Sequence, residues 1–282
     1  MNYRHAYHAG NHGDVLKHVA LSRILLALGQ KEKPFCFVDS HAGNGIYRLN
    51  GEEASKTREW EEGFEKLTEP FPEAVEALLE PYREAVASAC ERFGALTYPG
   101  SPWIAHALSR QQDRLVLNEL HPVDFGLLGE TFRHIGKAIV RKEDARLFLK
   151  QVLPPKERRG IVLIDPAYEV KDDAEQALAS LADAHKRFAS GVLLLWYPVK
   201  GVTFADQFLA AAKTLQLPEM LHIELRVREA FDGGGLAGSG IIAVNPPWKF
   251  DQEMQVLATA LAQRLGLGSW GRATVNWLTP PR

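Results

Sequence analysis

The chain reads as an α/β protein built on a mostly parallel, doubly wound sheet, with a terminal antiparallel hairpin and an inserted helical subdomain. Three observations predict this. Seven short apolar, β-rich runs alternate with helical patterns, at 35–39, 114–119, 137–141, 160–165, 191–197, 221–227 and 239–244. The last two are separated by only about a dozen residues, among them Gly233, Gly234, Gly235 and Gly238, too few for a crossover helix, so they pair antiparallel. The first two are separated by some 70 residues, too many for one βα connection. The chain therefore divides into a main domain of 1–49 and 98–282 and an inserted helical subdomain of 50–97.

Taken in order, the N-terminal segment Tyr3-Arg4-His5-Ala6-Tyr7-His8-Ala9-Gly10-Asn11-His12-Gly13-Asp14 precedes an apolar helical stretch that Asp14 is placed to cap. Four of the ten histidines fall between His5 and His18, yet no zinc-type spacing is present, so no metal is expected. Glycines, aromatics and cations there suit a flexible arm that covers a site and touches nucleic acid. The first strand ends in Asp39 and runs into Ser40-His41-Ala42-Gly43-Asn44-Gly45. A dinucleotide fingerprint needs a third glycine where Arg48 stands, which disfavours nicotinamide and flavin cofactors.

The insertion is rich in Glu and is punctuated by Pro70, Pro72 and Pro81, which predicts two or three short helices. It is either a solvated excrescence or a substrate clamp. Ser101 and Pro102 read as an N-cap and N1 pair opening a helix over 102–110. The second strand ends at Glu119, and Asp144 follows the third. The fourth strand, Ile161-Val162-Leu163-Ile164, stops abruptly in Asp165-Pro166-Ala167-Tyr168, because the proline cannot continue the ladder. That motif is one residue away from the Asp-Pro-Pro-Tyr of amino-group methyltransferases. A closer literal match, Asn245-Pro246-Pro247-Trp248, follows the antiparallel strand. It should therefore lie at the opposite edge of the sheet, a structural strand stop with Trp248 packed.

Asp39, Glu119, Asp144 and Asp165 thus stand at or just beyond the ends of four parallel strands, the edge where open α/β sheets bind ligands. Such acids suit a ligand with hydroxyls, an amino group and an ammonium, and they repel phosphate. S-adenosylmethionine fits that description and a triphosphate does not.

The formal net charge of −2 is unevenly distributed. Residues 50–97 hold twelve Glu, no Asp and five Lys or Arg, which leaves the rest of the chain at +5, compatible with a polyanionic partner. Cys36 and Cys90 offer no disulfide framework or metal spacing and are read as buried thiols. No membrane-length apolar run or signal h-region is present, so a cytoplasmic protein without membrane contacts is expected, as a monomer.

Along nearly its whole length the sequence resembles the RlmJ family of 23S ribosomal RNA (adenine-N6)-methyltransferases. The opening Tyr-Arg-His-x-x-His-Ala-Gly-Asn-His-x-Asp-Val-Leu-Lys-His carries the resemblance, together with the Asp-x-His-Ala-Gly-x-Gly turn and Tyr98-Pro99-Gly100-Ser101-Pro102. So do Glu119-Leu120-His121-Pro122, Trp196-Tyr197-Pro198 and Asn245-Pro246-Pro247-Trp248. The resemblance implies a Rossmann-like S-adenosylmethionine-dependent methyltransferase with 23S ribosomal RNA as partner. It further implies that His18, His41, Gly43, Ser101, Glu119, Asp144, Ala145 and Asp165 bind the cofactor, and that Tyr3, His5 and Lys17 face the RNA.

In this reading the Asp165 carboxylate and the Pro166 carbonyl accept the two amino hydrogens of an adenine while Tyr168 stacks on the extruded ring. Ala167, where the family has a second proline, removes loop stiffness but no hydrogen-bonding atom. The competing readings are a DNA adenine-N6 methyltransferase, an oxidoreductase on a similar sheet, and a non-catalytic RNA-binding assembly factor.

Overall fold

A computed structural model describes residues 3–281. After a short 3-10 turn at His5–Tyr7 come α1 (His12–Gly29), β1 (Cys36–Asp39) and β2 (Ile46–Arg48). The insertion supplies α2 (Glu52–Thr57), α3 (Glu59–Glu62) and α4 (Glu73–Phe93). Then follow β3 (Thr97–Pro99), α5 (Ser101–Ala107), β4 (Arg114–Asn118), α6 (Pro122–Phe132), β5 (Ala138–Arg141), α7 (Ala145–Val152) and β6 (Gly160–Ile164). The chain ends with α8 (Asp173–Arg187), β7 (Val192–Val199), α9 (Phe204–Thr214), β8 (Met220–Arg226), β9 (Gly238–Val244), α10 (Phe250–Leu265) and β10 (Arg272–Thr279).

Eight strands form one sheet in the order β10-β8-β9-β7-β6-β1-β4-β5. The run from β5 to β7 is parallel, whereas β9 is antiparallel to both β7 and β8, as the short glycine-rich connection requires. The central strands are buried at every position, which their continuous Val, Ile and Leu content makes favourable on both faces. Each face has its own core. One gathers α1, α4, α5 and α10 against Phe37, Leu117 and Leu163; the other gathers α7, α8 and α9 against Val38, Val162 and Leu195.

Several expectations change. The sequence reading has no counterpart for β10, which pairs with β8, or for the two-stranded β2–β3 sheet. Pro81 does not interrupt the insertion: α4 continues through it for 21 residues, because Val75, Leu79, Tyr82, Ala85 and Ala89 bury one face in the core beside α1. The cap of α1 is Asn11, whose side chain accepts the Asp14 N–H, so the helix begins a turn earlier than a cap at Asp14 would allow. Trp248 does not pack, being 86% exposed, although Asn245 does tie the strand end by donating to the Ala189 and Gly191 carbonyls. Cys36 is buried, and Cys90 only partly so.

Candidate active site

The carboxyl ends of β1, β4 and β6 open onto a cavity of about 490 Å3, a size usual for small-molecule sites. Each strand end contributes a carboxylate held differently. Asp39 closes β1 and is fully buried; its carboxylate accepts the Ser101 hydroxyl at 2.6 Å and the His41 N–H at 3.1 Å. Burial raises it to about 7, against the lowering effect of those two donors. Ser101 is therefore not a cap. Gly100 holds that position, and the Ser101 hydroxyl fixes the β1 carboxylate instead.

Glu119, just past β4, accepts the Gly43 N–H at 2.8 Å and the His121 N–H at 2.7 Å. Burial raises its pKa despite both donors. Its carboxylate thereby pins the Gly43 turn, and Gly43 itself must be glycine: its φ is +60°, and a Cβ would sit 2.2 Å from the Tyr47 hydroxyl.

Asp165 follows β6, and its Oδ2 accepts the Lys17 ammonium at 2.5 Å. Lys17 also lies 2.9 Å from Asp14 Oδ1, one helical turn away on α1. Burial alone would lower the Lys17 pKa, but the two carboxylates hold it above the usual lysine range. Asp14 in turn accepts the Gly10 N–H and meets His5 Nε2 at 2.8 Å, while His5 Nδ1 meets the Tyr3 hydroxyl at 2.7 Å. With Nε2 donating to a carboxylate, Nδ1 is the acceptor and the tyrosine the donor. A continuous polar chain, Tyr3, His5, Asp14, Lys17, Asp165, therefore joins the N-terminal arm to the strand end. Asp165 Oδ1 has no hydrogen-bond partner among the described residues.

The arm is pinned by further pairs. Arg4 bonds Glu53 at 2.8 Å and Asp124 at 3.2 Å, and His8 bonds Glu59 at 2.8 Å. The insertion thus reaches the cavity through Glu59, which lines it. Gly63 permits the approach, because a Cβ there would lie 2.2 Å from the Gly10 carbonyl.

Tyr3, His5, Lys17, His18, His41, Gly43, Ser101, Glu119, Asp165, Pro166 and Tyr168, all named from sequence, line this one cavity. His18 is buried and His41 half-buried, and desolvation lowers both, His18 to about 3. Asp144 and Ala145 are not among the lining residues; Asp144 caps α7 by accepting the Arg146 and Leu147 N–H groups. Tyr168 lines the cavity but is only 5% exposed. Its φ of +54° turns the ring against Trp196, Phe204 and Phe208, and its hydroxyl donates to the Trp196 carbonyl at 2.6 Å. In this structure the ring braces the loop instead of offering a free stacking face.

Glu59, Tyr47, Asp124, Trp196 and Lys200 also line the cavity without having been singled out as site residues. Of these only Trp196 stood in a motif; the others carry no local signal. Asn245 lies off the cavity, since Val244 pairs with Leu193 near the start of β7, at the opposite sheet edge. Among the described residues no group of three potential metal ligands occurs, and no helix is long and apolar enough to cross a membrane.

A family model described as ribosomal RNA large subunit methyltransferase D, RlmJ, matches residues 32–279. The chain belongs to this family. It is 41% identical over 282 residues to ribosomal RNA large subunit methyltransferase J of Escherichia coli K12, covering 99% of both chains. It is 39% identical over 286 residues to the protein of the same name from Haemophilus influenzae, again with 99% of each chain covered. A crystal structure of a Legionella pneumophila protein superposes with a TM-score of 0.85 at 31% identity, covering 96% of this chain and 98% of that one. The cavity at the ligand edge of the sheet carries Glu119 and Asp165 in its wall.

Proposed function

We propose that this RlmJ-family chain catalyses S-adenosylmethionine-dependent N6-methylation of a specific adenine in 23S ribosomal RNA, in the cytoplasm. The observation that carries the reading is Asp165, which lines the cavity next to Pro166 and presents one carboxylate oxygen to Lys17, the other having no hydrogen-bond partner among the described residues.

The cavity fits the cofactor by its donor set. Glu119 and Asp39 bring acceptors, the Gly43 turn brings the backbone close, and Lys17 in the wall is paired with two acids. Bound there, S-adenosylmethionine supplies an electrophilic methyl on a sulfonium. Glu119, His41, Gly43 and Ser101 would hold it on the β1–β4 side.

An adenine amine is a weak nucleophile because its lone pair is delocalised into the ring. Asp165 Oδ1 and the Pro166 carbonyl would accept its two hydrogens and turn the lone pair out of the ring plane. Lys17 fixes the carboxylate through Oδ2, so the acceptor is oriented before the base arrives. Alignment of this kind supplies up to roughly 7–11 kcal/mol of barrier reduction in well-oriented systems. Tyr168 supports the loop carrying both acceptors, through its bond to Trp196.

The test is methyl transfer by purified protein to protein-free 23S ribosomal RNA with mapping of the product. Label recovered as N6-methyladenosine is expected from the wild type, and none from Asp165→Asn with folding and cofactor affinity intact. An S-adenosylmethionine-binding protein that methylates no RNA would refute the reading.

A further inference from the structure

Three loops leave the ligand edge of the sheet beside the cavity, after β6, after β7 and between β8 and β9, and each exposes an apolar side chain. Val170 is 62% exposed, Val202 58% and Phe231 59%. Phe231 is held in place. The Gly234 N–H donates to its carbonyl at 3.0 Å, closing a turn, and Asp232 Oδ1 accepts the Val202 N–H at 3.1 Å, tying this loop to the one after β7. Its ring lies over Gly234, where a Cβ would come within 3.0 Å of it, and Gly234 and Gly235 line the cavity. Lys200, from the neighbouring loop, lines the same wall. An aromatic ring on a tied backbone therefore stands exposed next to the cavity wall, where it contributes little to the protein's own packing.

We propose that Phe231 stacks on the nucleobase adjacent to the target adenine in the RNA. The inference rests on the function proposed above and adds the contact that receives the flanking nucleotide. An adenine that enters the cavity leaves its stack, and its neighbour then lacks a partner on one face. A ring carried there supplies that face at reduced entropic cost, because the backbone that bears it is already fixed by the Gly234 turn and the Asp232 tie. Continuity with the base-binding cavity selects a nucleotide as occupant over a protein surface.

The experiment uses a synthetic RNA carrying the target adenine mapped on 23S ribosomal RNA, and versions with an abasic residue at either flanking position. Phe231→Ala should raise KM and Kd for the intact RNA roughly ten-fold, the scale of one base–aromatic stack. S-adenosylmethionine affinity should stay unchanged, and Phe231→Trp should restore RNA binding. With the abasic residue at one flank, wild type and Phe231→Ala should bind equally. An unchanged KM and Kd in Phe231→Ala, or a loss that persists undiminished on both abasic RNAs, would overturn the proposal while leaving the methyltransferase reading intact. A wild-type protein that neither binds nor methylates RNA would overturn the function itself.

Discussion

Lys17 sits between Asp14 and Asp165 with almost no solvent contact, at 2.9 and 2.5 Å from the two carboxylates. Removing one partner of such a buried ionic set leaves the others uncompensated, so Lys17→Met should lower unfolding free energy by about 3–5 kcal/mol, read by urea denaturation. Asp165→Asn keeps Lys17 paired to Asp14 and should fold with a much smaller loss while activity disappears. Ala167→Pro should retain methyl transfer, since position 167 contributes no hydrogen-bonding atom to the scheme. Asn245→Ala should destabilise by about 1 kcal/mol through its two lost carbonyl contacts and leave the rate unaffected. The residues legible in the sequence were those fixed by strand ends: once β1, β4 and β6 are placed, Asp39, Glu119 and Asp165 must share an edge. Side-chain fate was not legible. Whether Tyr168 faces a ligand or a cluster of Phe204 and Phe208, and whether Trp248 packs, depends on tertiary neighbours that no local pattern names.

At the scale of elements, the N-terminal arm and residues 50–97 are bonded to each other beside the cavity. His8 and Glu59 join them, and the pair is pH-dependent. The hydrogen bond to Glu59 raises His8 from its ordinary 6.5, so its contribution is complete below that value and is lost as pH rises through the raised one. Burial would raise Glu59, but the bonds from His8 and Asn11 outweigh it and hold it below 4.5, so its contribution is lost only as pH falls through that lowered value. The pair is about a third exposed, so its worth is within about 1 kcal/mol. The stability gap between wild type and His8→Gln should therefore close as pH is raised from about 6 toward 9 in thermal melts. Asn11→Ala removes both the α1 cap and a Glu59 contact and should cost about 1–2 kcal/mol. The parallel strands were readable from continuous apolar runs, and the β8–β9 hairpin from the length of its connection. Three-residue β2 and β3 are too short to show a period. By contrast β10 does alternate, with Ala273, Val275 and Trp277 half-buried against α10, so the signal was present but weak in the buried half.

For the whole molecule, the sheet gathers Asp39, Glu119 and Asp165 at one edge, and the N-terminal segment is bonded there to residues of 50–97. The acidic residues of 50–97 reach the cavity through Glu59 and hold the arm through Glu53, a use that their composition alone did not reveal. The proposed function requires that Asp165 direct a methyl group onto an adenine amine of ribosomal RNA. Tritiated methyl transfer offered in parallel to protein-free 23S ribosomal RNA, assembled large subunits and duplex DNA tests it most directly. Label in RNA as N6-methyladenosine is expected, and none with Asp165→Asn. Label confined to duplex DNA, or transfer undiminished in Asp165→Asn, would contradict it.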